Sequence, residues 1–375
     1  MNLHEELASL PPALRSRLAA RGFDPAQLEA WAATIGKDRD RRNRLPGKVE
    51  PPHAGDIVDV PAEGTAAFEE HRALGQAALA RGEVALCVLA GGMATRMGGV
   101  VKALVDALPG HTFLDLRLGE NAHLSRGSGA RLPLWMMTSE ATEGPIRAAL
   151  GARLDADYLT TFEQFVSLRL TPEGALFRDE HREPSVYSTG HGDLPDALRR
   201  SGVLSRFLAR GGKTVWIANI DNLGATVDPV VLGLHLAQER PLTVELVDKV
   251  GSDKGGGPVR WNGRPVITEM FRLPVGFDAA TVPVFNTNTF LVDAAALASL
   301  SMEWTYVEVE KAIGGRPAVQ FERILGELTA TLEPHLLRVP RAGVVSRFLP
   351  VKDVAELANR RPEIELIARA RGMIP

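Results

Sequence analysis

An uninterrupted apolar run, Val84-Ala-Leu-Cys-Val-Leu-Ala90, stops abruptly at two adjacent glycines. A strand with no polar face must be covered on both sides, as strands of a largely parallel sheet in an α/β domain are. The turn that follows, Leu89-Ala-Gly-Gly-Met-Ala-Thr-Arg-Met-Gly-Gly99 with Lys102 beyond it, is flexible and basic. Ligands of open α/β sheets sit beyond the carboxyl ends of the strands. Glycine lets the backbone approach a phosphate and turn its N–H groups toward it. Two common phosphate loops are excluded by spacing. The dinucleotide fingerprint needs G-x-G-x-x-G, and here Gly91 and Gly92 are adjacent. The Walker loop needs Gly-Lys-Ser/Thr, and Lys102 follows Val101. Two readings of the turn remain: a plain strand-to-helix connection with a surface arginine, or a phosphate loop of another kind.

The rest of the chain repeats the alternation of strand and helix. Strands are expected at Val84–Leu89, Leu134–Thr138, Thr214–Ile220 and Thr243–Val250. Helices are expected at Thr142–Leu150, Leu194–Leu208 and Val230–Gln238. Pro265–Leu273 and Val282–Val292 lack intervening helices and read as antiparallel strands of a smaller part. Residues 1–82 read as a helical segment. Within it, Asp38-Arg-Asp-Arg-Arg-Asn-Arg44 is a charge run suited to a solvated loop, and 45–56 is a Pro/Gly-rich linker. A larger α/β domain over 83–345 follows, and 346–375 forms a tail whose helix is interrupted at Pro362.

At 375 residues the chain can bury a large core. Apolar residues make up 45% and charged residues 24%, with a net charge of −3, so bulk charge points to neither nucleic acid nor an acidic membrane surface. Anion binding must come from local basic groups. The single cysteine, Cys87, lies inside the apolar run and fits a buried residue in a reducing compartment. The N-terminus lacks a basic stretch followed by an apolar core, and no apolar run approaches a membrane span. A cytoplasmic protein is expected.

Further motifs stand in order downstream. They are Gly190-His-Gly-Asp193, Asn219-Ile-Asp-Asn-Leu-Gly224, Lys254-Gly-Gly-Gly257, Glu269 in Val266-Ile-Thr-Glu-Met270, Phe285-Asn-Thr-Asn288 and Phe348-Leu-Pro-Val-Lys352. Together with the glycine turn they resemble the eukaryotic-type UTP–glucose-1-phosphate uridylyltransferase family, from about Val84 to Lys352. The resemblance implies a Rossmann-like, GT-A-like nucleotidyltransferase fold, with a mixed sheet flanked by helices and a sugar-binding part near 258–300. It implies that Leu89, Ala90, Gly91, Gly92, Thr138, His191 and Gly192 meet the nucleotide. It places Asn219, Glu269, Asn286 and Asn288 at the sugar, Arg96, Lys102 and Lys352 on phosphates in catalytic roles, and Lys254 as a further phosphate contact. Asp221 is implied to hold Mg²⁺, a hard cation that prefers oxygen ligands. The residues alone leave alternatives: Asp221 or Asn222 can cap a turn, and Asn-Thr-Asn can be an ordinary turn with Asn286 fixing the loop.

The reaction implied is transfer of a nucleotidyl group from a nucleoside triphosphate to a sugar 1-phosphate, releasing pyrophosphate. The nucleophile is already an anion, so catalysis is positioning plus charge neutralisation. Departures from the family pattern fall at Ala90, Ala94, Val100-Val101, Ser188-Thr189 and Thr289. They leave the substrates open: UTP with glucose 1-phosphate, or another sugar or cyclitol 1-phosphate, or a purine triphosphate such as GTP. The His-Gly-Asp and Asn-Ile-Asp-Asn-Leu-Gly forms argue against an N-acetylglucosamine relative. A non-catalytic nucleotide-sugar-binding protein on the same fold is a further alternative. The stretch after Lys352 is too short for the β-helical domain found in eukaryotic-type enzymes, so none is expected, and a monomer or a dimer through another surface is.

Overall fold

The computed structural model describes residues 2–375 apart from Thr95, Arg96, Ser252 and Lys254. An eight-stranded mixed sheet forms its centre. Its strands in chain order are β1 (Ile57–Asp59), β2 (Val84–Leu89), β3 (Leu134–Thr138), β4 (Leu159–Glu163), β5 (Thr214–Asn219), β6 (Leu242–Asp248), β7 (Val284–Asp293) and β8 (Pro334–Arg338). The spatial order is β1-β8-β6-β7-β5-β2-β3-β4. All neighbours run parallel except at β7, which is antiparallel to both β5 and β6.

The apolar strands work as their composition requires. In β2, Leu86 and Val88 face one core layer while Ala85, Cys87 and Leu89 face the other. Trp216 and Ala218 of β5 alternate with Val215 and Ile217 in the same way. One layer is closed by helices α1 (Ala66–Ala80), α2 (Phe113–Ser128) and α3 (Glu140–Leu150), and further along by α6 (Pro229–Ala237) and α7 (Val354–Ala370). The other is closed by α4 (Leu194–Arg200) and α5 (Val203–Ala209). Cys87 is fully buried, and burial pushes its thiol far above the usual range, so it is an inert core residue.

Several expectations need correction. β7 is antiparallel as expected but lies in the middle of the main sheet and not in a separate part. The strand expected at Pro265–Leu273 stops at Thr268 and gives way to a short turn of helix, Met270–Arg272. The Leu194–Leu208 helix breaks at Gly202, whose φ of +72° ends one helix and starts the next. The tail helix runs unbroken through Pro362, because Leu357 on one side and Ile364 and Ile367 on the other are all buried in the same core layer. The Pro/Gly-rich stretch contains a strand, Val49–Glu50, and is followed directly by edge strand β1. The charge run is no solvated loop. It forms a short helix, Arg39–Asn43, in which Arg42 pairs with Glu308, Arg39 pairs with Glu310, and Asn43 exchanges two hydrogen bonds with the Glu308 backbone.

The N-terminal helices Leu3–Ala8, Pro12–Ala20 and Pro25–Ala32 share an apolar cluster with Val166, Leu168, Val319 and Phe321, and Trp31 stacks on Phe321 at 5.0 Å. Among the described residues no helix is long and apolar enough to cross a membrane.

Helices α1 and α6 cross with unusual closeness. A Cβ on Gly233 would lie 1.8 Å from the carbonyl oxygen of His71, and one on Gly75 would lie 1.9 Å from that of Pro229. Gly233→Ala must therefore push the two helices apart and is expected to cost about 2–3 kcal/mol. An unchanged urea midpoint for the variant would contradict this packing.

Candidate active site

The carboxyl ends of β2, β3 and β5 open onto a cleft of about 550 Å³. Its floor is a strand-end register: Asn219 of β5 pairs with Leu89 of β2. Its rims come from the glycine turn, the 188–191 segment, the first half of β7 and the stretch Phe348–Lys352. This is the crevice that a parallel sheet leaves where its strands stop and their connections diverge.

Ten of the residues singled out in the sequence line it: Leu89, Gly91, Gly92, Lys102, His191, Asn219, Asp221, Asn286, Asn288 and Lys352. Lys102 Nζ donates to Asp221 Oδ2 at 2.6 Å, and the Val351 N–H reaches the same oxygen at 3.3 Å. Both charged groups are largely buried, yet both face the cleft. Lys352, next to Val351, is exposed and lines the same cleft. Asn288 Nδ2 donates to Asn219 Oδ1 at 2.9 Å, and the Asn288 N–H donates to Asn286 Oδ1 at 2.9 Å. Asn286 thus fixes the loop as well as lining the cleft. Asn288 sits at φ +60°, a left-handed position that asparagine tolerates better than most residues.

Four expected contacts lie elsewhere. The Ala90 methyl is buried in the core layer beneath the turn, so this position presents no side chain to a base. Thr138 is fully buried, and its hydroxyl donates to Glu143 at 2.6 Å. Gly192 faces the Arg323 backbone: a Cβ there would lie 2.6 Å from Arg323 Cβ and 2.7 Å from its carbonyl carbon. Gly190, at φ +106°, is pressed against the Arg323 carbonyl in the same way. These glycines let two protein segments touch. Glu269 stands behind the cleft wall beside Gly256, half-buried, and burial pushes its carboxyl upward. Arg96 and Lys254 lie outside the described residues.

The structure adds residues that carry no sequence signal. Buried Gln164 follows β4 and lines the cleft, and its Nε2 donates to the Gly190 carbonyl at 2.8 Å. Its Oε1 is thereby turned toward Gly91, where a Cβ would lie only 2.3 Å away. Asp253 and Glu322 also face the cleft, with Asp253 paired to Arg341 at 2.5 Å. Phe285 and Phe348 meet edge-to-face at 5.0 Å at that end, with the Arg341 guanidinium over both rings.

The Asp221 turn is held from beneath by buried arginines. Arg117 of α2 donates to the carbonyls of Asn219 at 2.9 Å, Asn222 at 2.6 Å and Ala225 at 3.3 Å, while Glu120 balances its charge at 2.7 Å. Arg347 donates to the Thr226 carbonyl at 2.8 Å and pairs with buried Glu245 at 2.6 Å. Asn222 closes the link to the segment before Lys352: its Oδ1 accepts from the Leu349 N–H at 2.7 Å and its Nδ2 donates to the Arg347 carbonyl at 3.2 Å.

Magnesium is commonly held by one or two carboxylates with phosphates and waters completing its shell. Asp221 fits that mode as a single carboxylate at the cleft floor. Among the described residues no cluster of three metal-ligating side chains exists to form an all-protein cage.

A family model described as UTP–glucose-1-phosphate uridylyltransferase matches residues 33–364. The chain belongs to that family. It is 29% identical over 285 residues to a barley (Hordeum vulgare) UTP–glucose-1-phosphate uridylyltransferase, covering 72% of this chain and 59% of that protein. It is 30% identical over 298 residues to the Saccharomyces cerevisiae protein of the same name, covering 73% and 58%. The chain spans about three fifths of the length of the curated relatives it matches. Among solved structures it resembles a Trypanosoma brucei UDP-glucose phosphorylase, with a TM-score of 0.72 and 22% identity over 92% of this chain and 77% of that one. It also resembles a T. brucei uridine diphosphate N-acetylglucosamine pyrophosphorylase, at 0.74 and 18% over 93% and 79%. These likenesses establish the α/β nucleotidyltransferase fold.

His191 gives the site a pH signature. Its Nδ1 accepts from the Leu325 N–H at 3.0 Å, so the ring proton belongs on Nε2. Desolvation depresses the ring's pKa, partly opposed by Glu322. The unfolded chain therefore binds a proton below about pH 6.5 that the folded ring resists, and stability falls as pH drops through that window. His191→Asn is expected to flatten the stability profile below about pH 6.5, by less than the ~1.4 kcal/mol per pH unit that one full proton carries. Parallel profiles for the two proteins would contradict a neutral His191.

Proposed function

We propose that this protein is a Mg²⁺-dependent nucleotidyltransferase, joining a nucleoside triphosphate, UTP in the first instance, to a sugar 1-phosphate such as glucose 1-phosphate. Pyrophosphate leaves. The observation that carries the reading is the convergence of Lys102, Lys352 and Asp221 on a cleft floored by a glycine turn. Two polyanions must be brought together there against their mutual repulsion. Two cations lining the cleft and a backbone free of side chains at Gly91–Gly92 suit that task.

In this reading the triphosphate lies along the glycine turn and the sugar toward Asn219, Asn286 and Asn288. Their amides offer both donors and acceptors to hydroxyls. Gln164 Oε1 is an acceptor aimed at the nucleotide end. An acceptor there suits a base with a ring N–H, as in uracil or guanine, and disfavours cytosine and adenine. Lys102 exchanges Asp221 for phosphate, and exposed Lys352 neutralises further phosphate charge. Asp221 would hold Mg²⁺ together with phosphate oxygens, and the ion when bound would offset charge on the phosphates. A phosphate oxygen of the sugar phosphate attacks the α-phosphorus in line, with no base required. The buried, non-disulfide Cys87 supports a cytoplasmic setting.

Pyrophosphate release across UTP, GTP, CTP and ATP, each with a panel of hexose and cyclitol 1-phosphates and Mg²⁺, tests the reading. Turnover is expected with UTP or GTP. Its absence with every pair would favour a binding protein on this fold. Lys102→Ala is expected to lower kcat by about 100-fold or more in protein that still folds, with some fall in thermal midpoint because Asp221 is left unpaired. Near-wild-type turnover by that variant would remove Lys102 from the chemistry.

A further inference from the structure

Arg371 lies immediately beyond the end of α7 and outside the cleft. Its guanidinium is shared between two chain segments. Nη1 donates to the Gly224 carbonyl and, at 3.0 Å, to the Thr226 hydroxyl. Nη2 donates to the Ser346 carbonyl at 2.6 Å and to the Val344 carbonyl at 3.2 Å. The first pair belongs to the turn that carries Asp221, and the second to the segment that ends at Lys352. We propose that Arg371, just beyond the C-terminal helix, is a positioning residue that adds to the Asn222 and Arg347 contacts and sets the Asp221 turn and the Lys352 segment in one register.

Three features separate this contact from ordinary surface capping. All four hydrogen bonds go to neutral acceptors, whereas Arg117 and Arg347 each have a carboxylate to balance them. A guanidinium's planar fork can serve two segments at once, which an ammonium cannot do with the same geometry. The helix that presents Arg371 is itself tightly seated: Ile364, Ile367 and Ala368 are fully buried, and a Cβ on Gly119 of α2 would lie 2.0 Å from the Met373 carbonyl oxygen. Burial lowers the Arg371 pKa to about 10, so it keeps its charge at neutral pH. The two segments also touch nearer the cleft, where Gly224 packs so closely that a Cβ would lie 2.6 Å from the Arg347 carbonyl carbon. Arg371 closes the outer side of that contact. Loss of the bridge removes the outer clamp on this contact, so the remaining Asn222, Arg347 and Val351 hydrogen bonds hold Asp221 and Lys352 in register less tightly.

The inference rests on the nucleotidyltransferase reading for its kinetic consequence, so its test has an arm that needs no turnover. Full-length Arg371→Lys and Arg371→Met are compared with wild type by hydrogen exchange, with mass spectrometry of peptides spanning 219–227 and 344–352. Both peptides are expected to exchange about tenfold faster in both variants, with β2 and β3 unchanged. In the kinetic arm kcat is expected to fall about 30-fold, while the Kd for UTP stays within about threefold, because the glycine turn is untouched. Lysine is expected not to rescue. Exchange that rises only within α7, exchange that rises everywhere, or wild-type exchange and kcat in Arg371→Lys would each overturn the proposal. A wild-type protein with no turnover, whose Arg371 variants still loosen both peptides together, would fail the functional reading and leave the positioning role standing.

Discussion

The cleft depends on guanidinium groups that bind backbone carbonyls. The turn after β5 carries Asp221 and must leave its regular strand pairing just where the sheet ends. Its carbonyls at Asn219, Asn222, Gly224, Ala225 and Thr226 accept hydrogen bonds from buried arginines of α2 and of the segment before Lys352, and from the half-buried arginine just after α7. A buried irregular turn would otherwise strand those carbonyls away from water, at a cost of about 1–3 kcal/mol each. Breaking one of the buried pairs by removing a partner is costly for the same reason, because the remaining charge has nowhere to go.

Charge placement follows from that scaffold. With the turn fixed, Asp221 can sit largely buried against Lys102 and still face the cleft. A partly buried pair is screened less than a surface one, so its charges act strongly on whatever enters. The glycine-turn side is built on a different principle. There the chain removes side chains at Gly91 and Gly92 and holds Gln164 by the Gly190 carbonyl, leaving backbone and one oriented amide. One half of the cleft is rigid by hydrogen bonding to carbonyls, and the other by close backbone approach.

The strands and much of the cleft were legible in the sequence because they follow local rules. An all-apolar run ending in glycines marks β2, and an Asn-Ile-Asp-Asn run after an apolar stretch marks the end of β5. Helix α2 was illegible because its buried face carries Arg117 and Glu120, which break the apolar period that identifies a helix. β7 was legible as a strand but not as a central one, since sheet order is set by long-range pairing. Ala90 and Gly192 sit inside recognisable motifs yet face the protein, so motif membership did not fix the direction of a side chain. Gln164, Arg117, Arg347 and Arg371 come from four separate parts of the chain. Nothing in the spacing of arginines signals that three of them meet on one turn.

The account holds that this cleft works by positioning and charge neutralisation, with one direct displacement at phosphorus and no covalent enzyme intermediate. The stereochemical course of transfer from a UTP stereoisomer chiral at an α-phosphorothioate tests that most directly. A single in-line displacement predicts inversion at the α-phosphorus in the nucleotide-sugar product. Retention would mean two displacements through a side chain of the cleft, such as His191, and would contradict the account.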